Sequence, residues 1–497
     1  SQNREIQVDA LAPSISYLTT SSDNGPFGVG RTVNIQVVFN EPVALIGGTL
    51  VLSLETGLTD REVTINEFAT YSTTANGTYT VQAGDESSDL EVLSVSLGTG
   101  ASVKDERNNN ADLTIPADQN LNERSLWNGS GYTPIDIVIE SNAPLGFTVG
   151  SVTTVGGPLV SGYWNSENTD LQVDVPIDDD ATLAGGSIQL RAKVGGNLYT
   201  NLGSSVNIPN TDRTQTVSID ANTFEALGFS EDNTITITAI ITDNAGNTTT
   251  GSASANQLVI DQVVPTITSI TASPSETTLA LGESSTLTVN FSENVTLSGG
   301  NILTTLETTS SGTDRVITTN SHSNADIYSI LYTVLADELN SDLDVQSIAL
   351  SAGSLRDAAG NGTDFTLPVG QGLADNAELN ADGILPIDFT VSTVTAVGGT
   401  VVASYWNSTN TSLNVNVPID DDSSLLNGAI QLKALISGGT YQNLGDAVSI
   451  TAKNTTQTVS IGATILEDLT GFDNSKTLTI KAVITDIVGN EKEGSPS

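Results

Sequence analysis

The 497-residue chain contains no cysteine and no methionine, and histidine occurs once, at His322. Without cysteine there is no disulfide framework, so stability must come from hydrophobic cores, with bound metal ions as a further source. A zinc site needs cysteine or a second histidine. A repeated Ser-His-Asp triad would need a histidine in each repeat, and His322 has no counterpart. We therefore expect a protein that is not an enzyme, with His322 on its surface.

Positively charged residues are also scarce. The chain has 16 lysines and arginines against 58 aspartates and glutamates, a formal net charge of −42. A surface this acidic repels nucleic acid and anionic membranes, and it repels its own copies unless cations bind. No apolar run approaches the roughly 20 residues that a membrane-spanning helix requires. We expect no nucleic-acid partner and no insertion into a membrane.

The chain is rich in the residue types that are typical of β-structure. Hydrophobic residues make up 37% of it. The frequent β-branched residues favour strands, while glycine, asparagine and aspartate favour turns. Period-two alternation predicts these inward-facing residues: Val33, Ile35, Val37, Phe39, Leu171, Val173, Val175, Ile235, Ile237, Leu287, Val289, Phe291, Leu413, Val415, Val417, Leu478 and Ile480. Several short strands per domain predict antiparallel sandwiches, whereas a β-solenoid, the competing architecture, has a shorter period.

Four short stretches, each a carboxylate followed by three residues and a proline, divide the chain into units of domain size. They are Asp9–Pro13, Glu140–Pro144, Asp261–Pro265 and Asp382–Pro386, with successive prolines 131, 121 and 121 positions apart. A proline fixes φ and lacks the N–H donor, so it ends the preceding strand. We predict an N-terminal strand at 1–8 and four domains: A1 at 9–139, B1 at 140–260, A2 at 261–381 and B2 at 382–497.

The four predicted domains alternate in kind. A1 and A2 match at an offset of 252, where Phe39-Asn-Glu41 aligns with Phe291-Ser-Glu293. B1 and B2 match at an offset of 242, where Val175-Pro-Ile-Asp-Asp-Asp180 aligns with Val417-Pro-Ile-Asp-Asp-Asp422. A1 carries an insertion between Pro116 and Ile139, around Trp127. The order is therefore A-B-A-B.

Short motifs recur at corresponding places in these domains. They are Phe39-x-Glu41, Ala83-Gly-Asp-Glu-Ser-Ser-Asp-Leu90, Asp357-Ala-Ala-Gly-Asn361, Thr242-Asp-Asn-Ala-Gly-Asn247 and Thr485-Asp-Ile-Val-Gly-Asn490. Together they resemble the bacterial Ig-like, calcium-binding repeats of large surface adhesins and extracellular filaments. The resemblance implies an all-β fold of four tandem Ig-like antiparallel β-sandwich domains in an extended rod at the cell surface. A1 departs from the pattern at Asp105-Glu-Arg-Asn-Asn109, which lacks Ala-Gly-Asn.

Acidic residues gather in the predicted loops at the domain ends. Ca²⁺ takes roughly six to eight oxygen ligands from carboxylates, amides and carbonyls, so we expect it at the joints, where it would stiffen them. The A-domain candidates are Glu41, Asp85, Asp89, Asp105, Asp112, Glu293, Glu338, Asp342, Asp357, Asn361 and Asp364. The B-domain candidates are Asp178, Asp179, Asp180, Asp243, Asp420, Asp421, Asp422 and Asp486, and the junction candidates are Asp9, Glu140, Asp261 and Asp382. The other interpretation is that these acids are solubilising charges and turn formers.

The two ends of the chain complement each other. B1 ends with the apolar stretch Leu258-Val-Ile260 before Asp261, whereas B2 reaches Gly494-Ser-Pro-Ser497 without one. A predicted strand with apolar residues at alternate positions stands immediately before Asp9, formed by Arg4, Glu5, Ile6, Gln7 and Val8. We expect this N-terminal strand to fill the open edge of B2 in another copy, which would build a head-to-tail homopolymer. The alternative is a segment of a longer tandem array, whose flanking repeats take these roles.

The tryptophans bear on a further alternative, a carbohydrate-binding module that contacts surface glycans. Trp164 and Trp406 follow tyrosine at matching positions of B1 and B2 and are predicted to be core residues. Trp127, in the A1 insertion, is the candidate for an exposed ligand contact. Paired carboxylates leave a glycoside hydrolase as a last alternative.

These patterns together predict a non-enzymatic structural protein outside a bacterial cell. We expect a filament subunit that is joined by N-terminal strand donation and stiffened by calcium. The main alternative is a stalk segment of a giant calcium-dependent surface adhesin.

Overall fold

The computed structural model describes residues 5–127, 131–309 and 312–497, and of residue 127 the backbone alone. Over these residues the fold is all-β, as the composition predicts, with short strands paired mainly into antiparallel sheets and helices of five residues or fewer. No helix in these ranges is long and apolar enough to span a bilayer. The chain forms two compact units, Ser1–Gln262 and Val263–Ser497.

The first unit contains the predicted A1 and B1 ranges. The A1 strands are β1 (Ile15–Thr20), β2 (Gly25–Phe27), β3 (Thr32–Ile46), β4 (Leu50–Leu54), β5 (Arg61–Ile65), β6 (Phe68–Thr80), β7 (Glu86–Ser87), β8 (Val92–Leu97), β9 (Ser102–Asp105), β10 (Ser125–Trp127), β11 (Tyr132–Pro134) and β12 (Ile137–Glu140). The B1 strands are β13 (Val152–Val155), β14 (Tyr163–Trp164), β15 (Asp170–Ile177), β16 (Ser187–Val194), β17 (Thr200–Asn201), β18 (Val206–Asn207), β19 (Arg213–Asp220), β20 (Thr234–Thr242), β21 (Thr248–Thr250) and β22 (Leu258–Ile260). B1 also has a 3-10 turn at Ala181–Leu183 and the helix α1 (Ala221–Glu225).

The second unit contains the predicted A2 and B2 ranges. The A2 elements are β23 (Ile267–Ser273), β24 (Glu276–Ala280), β25 (Ser284–Ser298), β26 (Ile302–Leu306), β27 (Arg315–Thr319), β28 (Ala325–Thr333), β29 (Leu339–Asn340), β30 (Val345–Leu350), β31 (Ser354–Arg356), α2 (Leu373–Asn376) and β32 (Glu378–Asp382). The B2 elements are β33 (Val394–Val397), β34 (Ser412–Ile419), a 3-10 turn (Ser423–Leu425), β35 (Ala429–Ile436), β36 (Gln442–Asn443), β37 (Val448–Ser449), β38 (Thr455–Gly462), α3 (Ala463–Glu467), β39 (Leu478–Thr485) and β40 (Glu491–Glu493).

Hydrophobic side chains form four clusters, and each cluster falls within one predicted domain. The clusters span residues 15–139, 149–260, 267–381 and 391–484. The predicted inward-facing residues are buried, as Val37 and Val173 show, because alternate side chains of a strand point to the same face. Leu478 is the exception, since it is only half-buried. The division into four domains stays a prediction beside the two compact units.

B1 illustrates how the alternation builds a sandwich. One sheet has the order β13-β15-β19, and the other runs β14-β22-β20-β16-β17, with β18 on β16 and β21 on β20. Leu171 of β15 and Ile237 of β20, one from each sheet, are fully buried in the same cluster. The core therefore lies between the sheets, and the loops that join the strands gather at the two ends.

A strand at the next junction closes A1, B1 and A2. It ends on the junction carboxylate in A1 and A2 and one residue before it in B1. Each of these strands lies between a parallel partner and an antiparallel partner: β12 between β2 and β7, β22 between β14 and β20, and β32 between β24 and β29. All three contribute buried apolar residues to the core of their domain. A domain of this type therefore depends on the segment immediately ahead of the following junction.

Candidate functional site

The Asp-x-x-x-Asn motif forms the same closed loop at four places. In B1, Oδ1 of Asp243 accepts hydrogen bonds from the backbone N–H of Gly246 at 2.7 Å and of Asn247 at 2.8 Å. The side-chain Nδ2 of Asn247 donates a hydrogen bond to Oδ2 of Asp243 at 3.0 Å. The equivalent pairs, with the same 2.8 Å backbone contact, are Asp105/Asn109, Asp357/Asn361 and Asp486/Asn490. A short loop of this kind orients its asparagine side chain as well as its aspartate.

In the first unit the asparagine of this loop joins B1 to A1. Oδ1 of Asn247 accepts a hydrogen bond from the backbone N–H of Val29 at 2.9 Å, and its Nδ2 donates to Oε2 of Glu140 at 2.8 Å. Beside it, the N–H of Gly28 donates to the carbonyl oxygen of Ala245 at 3.0 Å. One amide side chain thus contacts both the A1 loop and the junction carboxylate.

The second unit repeats this joint between A2 and B2. Oδ1 of Asn490 accepts from the backbone N–H of Leu281 at 2.8 Å, and its Nδ2 donates to the carbonyl oxygen of Asp382 at 2.9 Å. Leu281 is the counterpart of Val29 at the offset of 252. The same contact therefore recurs at both A-to-B joints.

Predicted metal ligands gather at these joints. Burial raises the pKa of Glu140, and the nearby carboxylates of Asp243 and Asp180 raise it further. Burial likewise raises the pKa of Asp382, with Asp486 and Asp422 adding to the shift. Each joint thus holds a junction acid, the last aspartate of the Asp triplet and the loop aspartate. Negative charges packed in this way favour a bound cation or a proton.

A third cluster lies at the start of A1. One carboxylate oxygen from each of Asp9, Glu41 and Asp105 lies within 4.8 Å of the other two. Asp9 is exposed and Asp105 is buried. Burial opposes ionisation of Asp105, but hydrogen bonds from Asn109 and from backbone N–H groups outweigh it and lower its pKa. An oxygen-only donor set fits Ca²⁺ and does not fit a soft metal.

Two counterparts of that cluster, Glu293 and Asp357, lie in the second unit. Glu293 lies within β25, and Asp357 follows β31 and pairs with the fully buried Asn361. Asp261 directly follows β22 in the first unit, where its backbone N–H donates to the carbonyl oxygen of Trp164 at 3.0 Å.

Asp85 has a different role from the one that its sequence motif predicts. Its side chain is buried, and Oδ1 accepts from Nε of Arg61 at 2.8 Å while Oδ2 accepts from the hydroxyl of Tyr79 at 2.6 Å. In A2, Glu338 pairs in the same way with Arg315 and Tyr332, at 3.0 Å each. Both carboxylate oxygens of Asp85 are engaged by protein donors, so we assign it to the core of A1 and remove it from the metal candidates.

The remaining predicted ligands lie outside the three clusters. Asp89 is half-buried beside Asp136, and burial raises its pKa. The exposed candidates are Asp112, Asp178, Asp179, Asp342, Asp364, Asp420 and Asp421. Several of these serve as turn residues, as Asp112 does by accepting from Thr114 at 2.9 Å. The contacts of these exposed acids therefore fit solubilising charges and turn formers better than metal ligands.

B2 follows B1 closely up to its last residues. Thr390 bridges to Ser495 as Thr148 bridges to Ser252. The N–H of Ser497 donates to the carbonyl oxygen of Ile480, as Ser254 does to Ile237. Beyond this point, the described residues provide B2 with no counterpart of the closing strand β22.

The side chains that β22 covers in B1 are more open in B2. Trp164 is fully buried, whereas Trp406 is half-buried and Tyr405 is 72% exposed. Ile235 is fully buried, whereas Leu478, its counterpart at the start of β39, is half-buried. Burial of Trp164 confirms the prediction of a core residue, whereas Trp406 is less buried than that prediction expects. We call Tyr405, Trp406, Thr477 and Leu478 the acceptor groove.

The predicted donor residues are open to solvent. Ile6 is 86% exposed and Val8 is 85% exposed, and residues 5–8 form no strand. Of the predicted self-assembly residues, Arg4 lies outside the described residues. Trp127 ends β10, which pairs with β11 in the predicted A1 insertion, but its side chain lies outside the description. The single histidine, predicted to lie on the surface, is instead half-buried between the rings of Phe291 and Tyr328.

Two sets of residues escaped the sequence analysis. The first is Asn247 and Asn490, whose motif was noted but whose side chains were not expected to join two domains. The recurrence of asparagine four residues after each loop aspartate was the available signal. The second is the acceptor groove, because the sequence predicted an open edge of B2 but placed Trp406 and Leu478 in its core.

Comparison with known proteins does not assign this chain to a family. No protein-family model and no curated protein matches the sequence. Among solved structures, trypsin-activated alpha-2-macroglobulin from Escherichia coli has 9% identity and a TM-score of 0.17 over 97% of this chain and 30% of that one. A stretch of titin domains has 12% identity and a TM-score of 0.23 over 70% of this chain and 94% of that one.

A mutant alpha-2-macroglobulin from Salmonella has 8% identity and a TM-score of 0.17 over 98% of this chain and 29% of that one. The chain spans about a third of the length of these macroglobulins.

Proposed function

We propose that this chain is a non-enzymatic extracellular structural protein, the subunit of a bacterial surface filament. Copies join head to tail when residues 5–8 of one copy enter the acceptor groove of the next. The observation that carries this proposal is the pairing in A1, B1 and A2, where the strand before each junction acid closes the preceding domain. Residues 5–8 precede Asp9 in the same way, and B2 has the unfilled place.

The free-energy argument supports strand addition. Leu258 and Ile260 of β22 are fully buried in B1, and burying an aliphatic side chain stabilises by about 1.5–3 kcal/mol. Ile6 and Val8 are apolar residues left in solvent, so their transfer into the groove is favourable. Backbone hydrogen bonds along both neighbouring strands add to the affinity.

Calcium is the second part of the proposal. The clusters that support it are Asp9/Glu41/Asp105, Glu140/Asp180/Asp243 and Asp382/Asp422/Asp486. Asp261, Glu293 and Asp357 belong to the same sequence pattern. These residues would hold the ion, which supplies positive charge between carboxylates that otherwise repel. An ion bound beside Asn247 or Asn490 would stiffen an A-to-B joint.

The alternative function is a stalk segment of a giant calcium-dependent surface adhesin. In that case the repeat that follows B2 in a longer tandem array would fill the acceptor groove. The repeat that precedes A1 would be the domain that residues 5–8 close. The carbohydrate-binding alternative is weakened by Trp164, which lies in the core of B1. The matching tryptophans of the described B1 and B2 residues therefore do not form a pair of exposed side chains.

The test compares the full chain with a variant that lacks residues 1–8, by electron microscopy and light scattering, in calcium and in chelator. We expect filaments from the full chain and monomers from the truncated chain. Monomers from both would contradict the filament and favour the stalk. Filaments or single chains that become more flexible in chelator support calcium at the joints, whereas indifference to chelator contradicts it.

A further inference from the structure

The donated strand has one register in the acceptor groove, and B1 shows which one. We infer that Ile6 takes the place of Leu258, Gln7 that of Val259 and Val8 that of Ile260. This inference rests on the proposed head-to-tail assembly and adds the partner residues of each position. The occupant of the acceptor groove is then residues 5–8 of a second copy, and this strand runs parallel to Tyr405 and Trp406.

The pairing within B1 provides the template. Val259 pairs in parallel with Tyr163 and antiparallel with Thr234, while Leu258 pairs with Ile235. Ile260 pairs with Trp164. The exposure pattern of β22 is buried, half-buried, buried, so apolar side chains are required only at its first and third positions.

The backbone of B2 is shaped for the same contacts. In B1 the carbonyl oxygen of Gly162 accepts from Val259 at 2.8 Å, and the N–H of Asp232 donates to Ile260 at 2.9 Å. Gly162 and Asp232 have φ of 85° and 62°, and their B2 counterparts Ser404 and Ser475 have φ of 63° and 68°. Positive φ is uncommon at serine, so both turns that border the strand keep their conformation in B2.

The donor sequence matches this pattern in only one alignment. Asp9 corresponds to Asp261, which places the apolar Ile6 and Val8 at the two buried positions and the polar Gln7 between them. A shift by one residue would turn Gln7 into the core and both apolar side chains into solvent. In the assigned register Ile6 covers Leu478, and Val8 packs beside Trp406.

The absence of cysteine allows a direct test by engineered disulfides. Gln7→Cys with Tyr405→Cys places two cysteines at the positions of the Val259–Tyr163 pair. Neighbouring strands lie about 4.8 Å apart, within the Cα distance that a disulfide spans. The matched control is Glu5→Cys with Tyr405→Cys, which lies two residues out of register on the same side of the strand.

We expect a covalent ladder on non-reducing gels from the first pair and monomers from the control. A ladder from the Glu5 pair alone would overturn the register but leave strand donation standing. Filaments of the parent chain without a ladder from either pair would overturn the groove as the acceptor. A parent chain that forms no filaments at all would contradict the proposed function itself.

Serine substitutions give an independent readout. Ile6→Ser and Val8→Ser each remove an apolar group from a buried position, so the concentration needed for assembly should rise roughly tenfold or more. Gln7→Ser is the matched control and should change it little. Greater sensitivity at Gln7 than at Ile6 and Val8 would contradict the assigned register.

Discussion

At the scale of single residues, the A domains contain a buried charged group that is structural. Asp85 is fully buried between Arg61 and Tyr79, and the phenol's pKa is raised by burial and by the carboxylate. A2 replaces the aspartate by Glu338 and keeps the arginine and the tyrosine. The exchange between two carboxylates shows that the charge and its donors are needed, rather than one side-chain length.

Removing the cation of this group should destabilise A1. Arg61→Ala leaves the carboxylate of Asp85 buried without its ion pair, which we expect to lower the free energy of unfolding by about 3 kcal/mol. Denaturant unfolding of the full chain, followed through the A1 transition, measures the change. The control is Arg107→Ala, because Arg107 and its ion-pair partner Glu106 are both exposed. We expect this variant to change the free energy of unfolding by no more than about 0.5 kcal/mol. Equal effects would contradict the structural role.

Asp174 of B1 is a titrating residue whose B2 counterpart does not titrate. Hydrogen bonds from Ser151 and Thr216 lower the pKa of Asp174. The counterpart in B2 is Asn416, which contacts Thr393 and Thr458 at 2.7 Å each. An amide has the same two contacts without a titrating group.

We therefore expect acid to weaken B1 more than B2 at this site. A carboxyl whose folded pKa is lowered stabilises the fold above its ordinary pKa, and this stability is lost as the pH falls through the lowered value. Asp174→Asn should reduce the acid-dependent loss of B1 stability, and Asn416→Asp should introduce one into B2. Thermal unfolding between neutral pH and pH of about 3 measures both. An unchanged pH profile in both variants would refute the assignment.

At the scale of elements, the joint between A1 and B1 depends on close contact between two loops. A Cβ at Gly28 would lie 2.6 Å from Oδ1 of Asn247 and 2.9 Å from the carbonyl oxygen of Ala245. Such distances are too short for any real contact, so one loop must move. The hydrogen bonds of Gly28 and Val29 to the B1 loop would then be lost together.

Gly28→Ala should accordingly loosen this joint and leave the two cores intact. We expect a cost of about 1–3 kcal/mol, as for other overpacked contacts, seen as faster proteolysis near Glu140 and a lower unfolding midpoint of the first unit. Gly146→Ala is the control, because a Cβ there meets nothing within 4 Å. If the two variants behave alike, the loop contact does not hold the joint.

At the scale of the whole molecule, the net charge of −42 opposes any association between copies. Salt screens such repulsion beyond about 10 Å at 0.1 M, and bound calcium would neutralise part of it at the joints. In the proposed assembly, strand addition would supply the attraction, since it combines apolar burial with directional backbone hydrogen bonds. Assembly of this chain should therefore respond to ionic strength, to calcium and to residues 1–8 through three separable mechanisms.

Much of the fold could be predicted because its signals are local. The alternation of Val33, Ile35 and Val37 indicates a strand facing a core, and a proline after a carboxylate indicates where one domain ends. Because B1 and B2 share a pattern, the unmatched stretch before Asp261 predicted the place of a closing strand. These conclusions depend only on neighbouring residues and on comparison between repeats.

The candidate site was only partly predictable because it depends on which distant residues meet. Glu140 lies near Asp243 although about a hundred positions separate them, while Asp85, in an equally acidic motif, is enclosed by Arg61 and Tyr79. No local pattern distinguishes these two carboxylates. Their surroundings differ because chain folding brings an arginine to one and further acids to the other.

The sequence by itself therefore determined the fold class and the apolar residues of each strand, since side-chain period and turn chemistry act over a few residues. Only the tertiary structure decided which acids cluster, that the side chains of Asn247 and Asn490 contact a distant loop and a junction residue, and that Trp406 and Leu478 are less buried than Trp164 and Ile235. Those features arise from packing between segments far apart in the chain, where through-space distance rather than sequence spacing sets the interaction.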